Sequence, residues 1–285
     1  MSRPRVVAVA LCALGLLAAV MALAQSRQGM RIRTARDIPG DTEPPPLWTN
    51  NPAFKRDTFT FVRIRYSDGG RPRWARNSGA GSWFIDFPDA DLNLSWRLSQ
   101  MTSLKVDPDG LVLDIADPRL FDYPWIYMVE PGGLMFLDEE VPILRRYLLN
   151  GGFLMVDDFW GEREWENFAG EMKRVFPEFE IVDLSLDHPI FHIVFDIKET
   201  LQIPNVQTGT DSQWTGVTWE RPDAKEVHYR AIFDDKGRMM VMICHNTDLG
   251  DGWEREGDNH YYFREFSEKR AYPLGINIVF YAMTH

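Results

Sequence analysis

The chain has 285 residues, of which 45% are hydrophobic, 13% aromatic and 26% charged, with a formal net charge of −11. This length can bury one sizeable core with a small extension. The acidic balance argues against nucleic acid as a partner, because binding a phosphate backbone requires a basic surface. The composition therefore predicts a globular protein that does not bind nucleic acid.

Residues 1–24 have the pattern of a secretory signal peptide. Two early arginines precede an apolar run from Val6 to Ala24, and the run ends in Ala-Leu-Ala, a site for signal peptidase. An uncleaved anchor is the alternative, because an apolar run of this length can just span a bilayer. Either way the protein is expected to be exported. It would be periplasmic, or membrane-anchored outside the cytoplasm with its only membrane contact through this segment.

Residues 25–53 are polar and rich in proline, which favours an extended, poorly packed tether. The folded domain is therefore predicted to span residues 54–285. Cys12 lies in the leader, so cleavage would leave Cys244 without a disulfide partner. Cys244 follows the apolar run RMMVMI, which is typical of a buried structural thiol rather than of a nucleophile.

The first half of the domain alternates strand and helix patterns. The strand patterns are FTFVRIRY (59–66), GLVLDI (110–115), WIYMV (125–129) and FLMVDD (153–158). The helix patterns are PDADLNLSWRLSQMTSL (88–104), LDEEVPILRRYLLNGG (137–152) and EREWENFAGEMKRVF (162–176). Asp89 or Asp91 can cap the first helix and Asp138 the second. Strands that alternate with helices imply a parallel sheet covered by helices.

The second half is richer in strand patterns. They cover FEIVDL (179–184), IFHIVFDI (190–197) and AIFDDKGRMMVMIC (231–244), whose DDKG segment is a hairpin turn signal. PLGINIVFYAMT (273–284) is a predicted closing helix with proline near its start. The whole pattern predicts an α/β domain with a mainly parallel central sheet and additional β-hairpin elements.

Two adjacent carboxylates, Asp157 and Asp158, end the strand FLMVDD. Open α/β sheets usually bind ligands at this end of their strands. Neighbouring side chains of a strand point to opposite faces. We therefore expect one carboxylate to face a cleft, as a catalytic acid or base or as a cation ligand. The other would cap the next helix or bond its loop, and structural roles for both remain the alternative.

The segment CHNTDLGDGWE (244–254) also follows an apolar strand. His245 can act as acid, base or metal ligand, and Asn246 and Asp248 are candidates for ligand binding. Asp158, His245 and Asp248 are the candidate ligands of a divalent metal, although the acids lack the spacing of an EF-hand loop. A solvated polar loop is the alternative.

Glu130, Trp160 and Trp253 are further candidates for ligand binding at the same edge. Glu130 ends the strand WIYMV, and the two tryptophans flank the two polar segments. Tryptophan can stack on sugar rings, although large aromatic side chains more often pack in the core. His188 and His192 have the spacing of a metal pair, but residues four apart on an extended chain lie about 13 Å apart, too far for one ion.

Four segments together resemble an uncharacterised bacterial family of exported proteins described only as a domain of unknown function. They are DPRLFDYPWIYMVEPGG (117–133), LRRYLLNGGFLMVDDFWGE (144–162), LDHPIFHIVFDI (186–197) and AIFDDKGRMMVMICHNTDLGDGWE (231–254). The resemblance covers residues 54–285. Members of this family are often found near MoxR-type ATPases and von Willebrand A-like membrane proteins, which implies a partner in an envelope assembly.

The order of elements is also similar to the class I glutamine amidotransferase-like fold, especially its trehalose-utilisation-like branch. The shared features are a helix that ends in Gly-Gly before a strand, the element His188-Pro189-Ile190, and Gly-Arg leading into the strand before His245. This resemblance implies a flavodoxin-like three-layer sandwich. The chain departs from the pattern because no Cys, Ser or Thr lies between Gly151 and Gly170, which excludes glutamine hydrolysis by the usual nucleophile.

The sequence therefore predicts an exported module without catalytic activity, which binds a ligand or partner at the sheet edge. The alternative is a metal-assisted or acid/base hydrolase of a carbohydrate-like envelope substrate, with Asp157 or Asp158 and His245 as catalytic residues. A structural component of a membrane-linked assembly is a third interpretation.

Overall fold

The computed structural model describes residues 32–69 and 81–285, and the predicted signal peptide or anchor lies outside the described residues. The compact unit begins at Thr34 and ends at His285. Within these described ranges, no helix has the length and apolar character needed to cross a membrane.

A seven-stranded sheet forms the centre of the domain, in the order β4-β2-β5-β6-β9-β8-β7. Its strands are β2 (Val62–Arg65), β4 (Leu111–Asp114), β5 (Trp125–Val129), β6 (Phe153–Asp157), β7 (Ile181–Asp183), β8 (His228–Phe233) and β9 (Met239–His245). The first five strands in this order are mutually parallel, and β8 and β7 are antiparallel to their neighbours. A separate parallel pair joins β1 (Thr58–Phe59) to β3 (Lys105–Val106).

Helices flank the sheet, so the strands β5, β6 and β9 are buried along their whole length. The helices are α1 (Asp89–Met101), α2 (Glu140–Leu149), α3 (Gly161–Val175), α4 (Val206–Thr215), α5 (Leu249–Glu254), α6 (His260–Tyr262) and α7 (Tyr272–Thr284), with a π-helical segment Phe263–Ala271 before the last. The predicted α/β class, with its mainly parallel sheet and the β8–β9 hairpin, is confirmed. The arrangement is compatible with a flavodoxin-like three-layer sandwich.

The strand predicted over residues 190–197 is wrong. The chain forms a short 3-10 turn at Pro189–Phe191, and His188 caps this turn by accepting a hydrogen bond from the Ile190 amide. Beyond the turn, Oδ1 of Asn277 in α7 accepts hydrogen bonds from the backbone amides of residues 194 and 195. Its Nδ2 donates a hydrogen bond to the carbonyl oxygen of residue 195. Because these backbone groups bond to a side chain, they cannot join a strand ladder.

The predicted helix caps are also wrong, because the acids concerned bond elsewhere. The N-cap of α1 is Pro88, which has no side-chain hydrogen bond to offer. Asp89 accepts hydrogen bonds from residues 41–42, and Asp91 pairs with Arg63. Asp138 forms an ion pair with an arginine of α3 instead of capping α2.

The proline-rich segment before residue 54 packs more closely than its composition predicts. Ala35 is fully buried, and the side chains of Trp48 and Asn50 both donate to the carbonyl oxygen of Val106 at 2.8 Å. The Trp48 ring also lies 5.1 Å from the ring of Trp96. Two large side chains with polar ends thus hold this extended chain against α1 and β3.

Candidate functional site

Three buried carboxylates from separate parts of the chain meet at the carboxyl edge of the sheet. Asp86 lies in the loop before α1, Asp158 follows β6, and Asp248 precedes α5. Each offers an oxygen, and these oxygens lie within 4.8 Å of one another. Their exposed fractions are 7%, 6% and 4%. We call this group the carboxylate pocket.

The backbone around the pocket is strained. Four described residues other than glycine have positive φ angles, and they are Asp86 at 60°, Glu130 at 47°, Asp158 at 56° and Asn246 at 62°. Three of these follow directly after β5, β6 and β9. Such conformations are unfavourable for side chains with a Cβ atom and concentrate at functional sites. Here they turn the chain sharply at the strand ends, which brings polar side chains to one edge.

Arg63 of β2 positions the loop that carries Asp86. Its Nη1 donates to the carbonyl oxygens of Trp83 at 3.0 Å and Ile85 at 2.8 Å. Its Nε and Nη2 bind the Asp91 carboxylate at 3.0 and 2.5 Å. The whole side chain is buried. In the sequence Arg63 looks like any outward-facing residue of a half-buried strand, so its positioning role carries no local signal.

Gly250 provides the space for the Asp86 carboxylate. A Cβ atom at this position would lie 2.1 Å from Asp86 Oδ2 and 3.0 Å from the hydroxyl of Tyr127. Asp86 Oδ2 is buried and has no hydrogen-bond partner among the described residues. A buried carboxylate oxygen without a partner is unfavourable unless a proton or a cation compensates it.

Asp157 lies beside the pocket and faces α5. It is fully buried, and its Oδ2 accepts hydrogen bonds from the amide of Gly250 at 2.9 Å and the hydroxyl of Tyr127 at 3.1 Å. Burial raises the pKa of Asp157 to about 7. Asp157 does not cap α3, because the amide of Gly161 donates to Asn246 Oδ1 at 2.8 Å.

The pocket carboxylates raise one another's pKa values. Burial first, and then the charges of Glu130 and Asp86, raise the pKa of Asp158 well above its usual range. Burial and the charge of Asp158 do the same to the pKa of Asp248. Two hydrogen bonds partly compensate this repulsion: Trp160 Nε1 donates to Asp158 at 2.9 Å, and the amide of residue 251 donates to Asp248 at 2.7 Å. Close like charges in a buried space favour protonation or the binding of a cation.

His245 lies on the other face of the sheet. Met155 of β6 pairs with Met242 of β9, so their side chains lie on the same face of the sheet. Because side chains alternate along a strand, Asp157, two residues after Met155, lies on this face. His245, three residues after Met242, lies on the opposite face. The His245 ring nitrogens lie 3.2 Å from the carbonyl oxygen of Gly161 and 3.1 Å from Arg230 Nη1. The structure therefore brings Asp158 and Asp248 together but does not bring His245 to them.

We expect His245 to make the protein sensitive to acid. Burial lowers its pKa to about 4, with Arg230 and His228 as further causes. The folded state therefore favours the neutral ring, and stability is lost as pH falls from about 6.5 to about 4, by up to about 1.4 kcal/mol per pH unit. Urea unfolding of His245→Gln at several pH values should show a shallower loss over this window. Exposed His192, whose pKa Asp196 raises, provides the control, because His192→Gln should not make the loss shallower. An unchanged slope in His245→Gln would contradict the assignment.

The other candidates for ligand binding are largely occupied by structural contacts. Trp253 is fully buried and donates to the Ala271 carbonyl at 2.9 Å, and Trp160 is only 3% exposed. Neither ring is free to stack on a ligand. The side-chain amide of Asn246 accepts a hydrogen bond from the backbone N–H of residue 161 and donates one to the carbonyl oxygen of residue 226. Glu130 is only partly buried, and burial together with the Glu164 charge raises its pKa to about 7.

Asp86 is the site residue that the sequence patterns do not indicate. It lies in a loop without periodicity, and more than seventy positions separate it from Asp158 in the chain. Its only local signal is that aspartate tolerates the left-handed conformation better than most residues. The structure alone places it in the pocket.

A comparison of the sequence with curated proteins gives no match. Residues 60–283, more than three quarters of the chain, match the family described as domain of unknown function DUF4159. This span contains every element of the central sheet and every residue of the carboxylate pocket. The chain therefore belongs to the DUF4159 family.

Proposed function

We propose that this chain is a binding module that depends on a divalent cation, held in the carboxylate pocket by Asp86, Asp158 and Asp248. The observation that carries this proposal is the buried Oδ2 of Asp86, which has no hydrogen-bond partner in the described part of the chain although two further carboxylates lie close to it. A bound cation would compensate this oxygen and hold the three loops together. The sheet edge would then present a fixed surface to a ligand or partner.

The donor set suits a hard cation. Carboxylate oxygens are the preferred ligands of Ca²⁺, Mg²⁺ and Mn²⁺, whereas zinc and copper sites usually include histidine or cysteine. The imidazole of His245 points to the opposite face, and Cys244 is buried in the core. We therefore propose calcium, magnesium or manganese as the cation.

The proposed setting is the cell envelope, where exported proteins meet calcium at high concentration. The leader-like pattern of residues 1–24 supports export, and the similarity of element order to amidotransferases supports that finer fold assignment. The absence of a nucleophile between residues 151 and 170 supports a role in binding. The alternative hydrolase with Asp157, Asp158 and His245 has less support, because His245 lies across the sheet from the two acids.

Calorimetric titration of the full chain, stripped with a chelator, tests the proposal. Addition of CaCl2, MgCl2 or MnCl2 should release or absorb binding heat and raise the melting temperature. At a free cation concentration of 100 times Kd, the expected stabilisation is about 2.7 kcal/mol. The variant Gly250→Ala should lose this response, because its Cβ would displace the Asp86 carboxylate without removing any ligand.

The variant Gly170→Ala is the matched control. Gly170 lies inside α3, and a Cβ atom there would meet no atom within 4 Å. Alanine should stabilise that helix by up to about 1 kcal/mol and leave the cation response unchanged. If none of the three cations binds to the wild-type protein, the proposal is wrong. If Gly250→Ala gives the same binding heat and the same rise in melting temperature as the wild type, the cation binds outside the carboxylate pocket.

A further inference from the structure

Asp86 belongs to a second group of buried carboxylates. With Asp251 and Glu254 of α5 it again offers oxygens that lie within 4.8 Å of one another. Asp251 is 5% exposed and Glu254 is 6% exposed. Asp158 and Asp248 belong only to the first group, so Asp86 connects two neighbouring sites of three carboxylates each.

The second group contains a buried oxygen that lacks a hydrogen bond. In the described part of the chain, Glu254 Oε2 has no hydrogen-bond partner, although Arg255 Nε lies 2.8 Å away in an ion pair. Asp86 Oδ2 also has no hydrogen-bond partner among the described residues. Asp86 Oδ2 is thus a buried carboxylate oxygen left for a ligand to satisfy, whereas Arg255 compensates Glu254 Oε2 through their ion pair.

The five carboxylates of the two groups carry more negative charge than one divalent cation can compensate. The two groups contain five carboxylates in total. The positive charge of the buried Arg63 side chain also acts on Asp86, but its guanidinium is paired with Asp91. Arg255 contributes one positive charge beside Asp251 and Glu254. One divalent ion would leave at least two of these five negative charges uncompensated in a buried space, whereas two ions would leave at most one, with the Arg255 guanidinium close to it.

We propose that the site is a two-cation centre, in which the Asp86 carboxylate bridges one ion held by Asp158 and Asp248 and a second ion held by Asp251 and Glu254. This inference rests on the proposed function and extends it from one cation to two. Carboxylate-bridged pairs of hard cations lie about 3.5–4 Å apart. A pair at this separation would connect β6 and α5 to the Asp86 loop, so both ions would stabilise the same edge of the sheet.

Arg255 can make room for the second ion without losing all its partners. Its guanidinium also lies 3.6 Å from Asp258 and 3.8 Å from Asp41, and its side chain is 27% exposed. When an ion occupies the second group, Arg255 can shift towards these two exposed carboxylates. The cost of this shift is small, because solvent screens ion pairs of this kind.

The number of bound Mn²⁺ ions tests the inference. Calorimetry and elemental analysis of the full chain should give two ions per molecule, and the electron paramagnetic resonance spectrum should show a coupled manganese pair. Glu254→Gln and Asp158→Asn each remove a ligand of one ion only. Both variants should lose the coupled spectrum and bind fewer than two ions. Asp235→Asn removes an exposed carboxylate outside the site and should bind two ions as the wild type does.

The outcomes separate this inference from the proposed function. One ion in the wild-type protein, unaffected by Glu254→Gln and lost in Asp158→Asn, would overturn the two-cation centre and keep the single-cation module. If the wild-type protein binds two Mn²⁺ ions and their electron paramagnetic resonance spectrum shows no coupling, the proposal that Asp86 bridges the ions is wrong. No bound ion would overturn both proposals. Thermal unfolding in chelator checks that the variants fold, which we expect because each replaces a buried carboxylate by a neutral amide of the same shape.

Discussion

Replacing Arg63 by methionine is expected to lower the free energy of unfolding by about 3–5 kcal/mol, because it leaves the buried Asp91 carboxylate without its partner. The side chains of Arg63 and Asp91 are both fully buried where they form their ion pair. The guanidinium also donates hydrogen bonds to the carbonyl oxygens of Trp83 and Ile85. Methionine keeps most of the volume but supplies no donor. Urea unfolding at neutral pH measures the change directly.

Arg65, two residues along the same strand, is a matched control. It pairs with Asp114, but their side chains are 24% and 34% exposed, so Arg65→Met should cost about 1 kcal/mol or less. The double variant Arg63→Met, Asp91→Leu should recover much of the lost stability, because it removes the uncompensated charge. If Arg63→Met and Arg65→Met lower the free energy of unfolding by the same amount, burial does not decide how much the Arg63–Asp91 ion pair contributes to stability. A double variant that recovers its stability and still binds cation more weakly than the wild type would show that Arg63 positions the loop that carries Asp86.

Asp86→Asn should change stability and cation binding in opposite directions. Burial and the charges of Asp251 and Glu254 hold the pKa of Asp86 well above its usual range. A carboxyl group with a raised folded-state pKa loses its contribution to stability as pH rises, so its charge destabilises the protein without cation at pH 8. Asparagine cannot ionise, and the variant should therefore be more stable than the wild type in chelator. Cation affinity should fall by at least about 100-fold, because Asp86 is a proposed direct ligand and mutation of residues that only support metal ligands already lowers metal affinity by about 10–100-fold.

Melting temperatures with chelator and with excess Ca²⁺ or Mn²⁺ test both halves of this prediction. The stability gain of Asp86→Asn should shrink as pH falls, because the wild-type carboxyl group then becomes neutral as well. Asp235→Asn, an exposed change of the same charge, should alter neither quantity. An Asp86→Asn protein that is less stable in chelator and still binds cation would contradict the role given to Asp86.

Most of the helices and strands could be predicted because each has a local cause. The apolar runs of β5, β6 and β9 are long enough to require burial, and the amphipathic pattern of α3 requires one buried face. The strand prediction for residues 190–197 is wrong because the side chain of Asn277, from a distant helix, bonds the backbone groups that a strand would use. Tertiary contact overrides local propensity there.

The candidate site was only partly predictable for a similar reason. Asp158 and Asp248 follow strands that end at the same edge, so their approach can be inferred from the order of elements. The sequence groups His245 with the two acids, whereas the structure places it on the opposite face, because an offset of one residue on β9 reverses the face to which a side chain points. The side chains of Trp160 and Trp253 are buried, which the sequence patterns do not show.

The sequence by itself determined the α/β class, the mainly parallel character of the sheet and the absence of Cys, Ser and Thr between Gly151 and Gly170, because periodicity and residue type are local properties. Only the tertiary structure decided that Asp86 joins Asp158 and Asp248, since a loop without periodicity carries no information about its neighbours. It also decided that Arg63 is buried beside Asp91, while Arg65 on the same strand stays partly exposed. Burial depends on what packs above each residue, and that is a property of the whole fold.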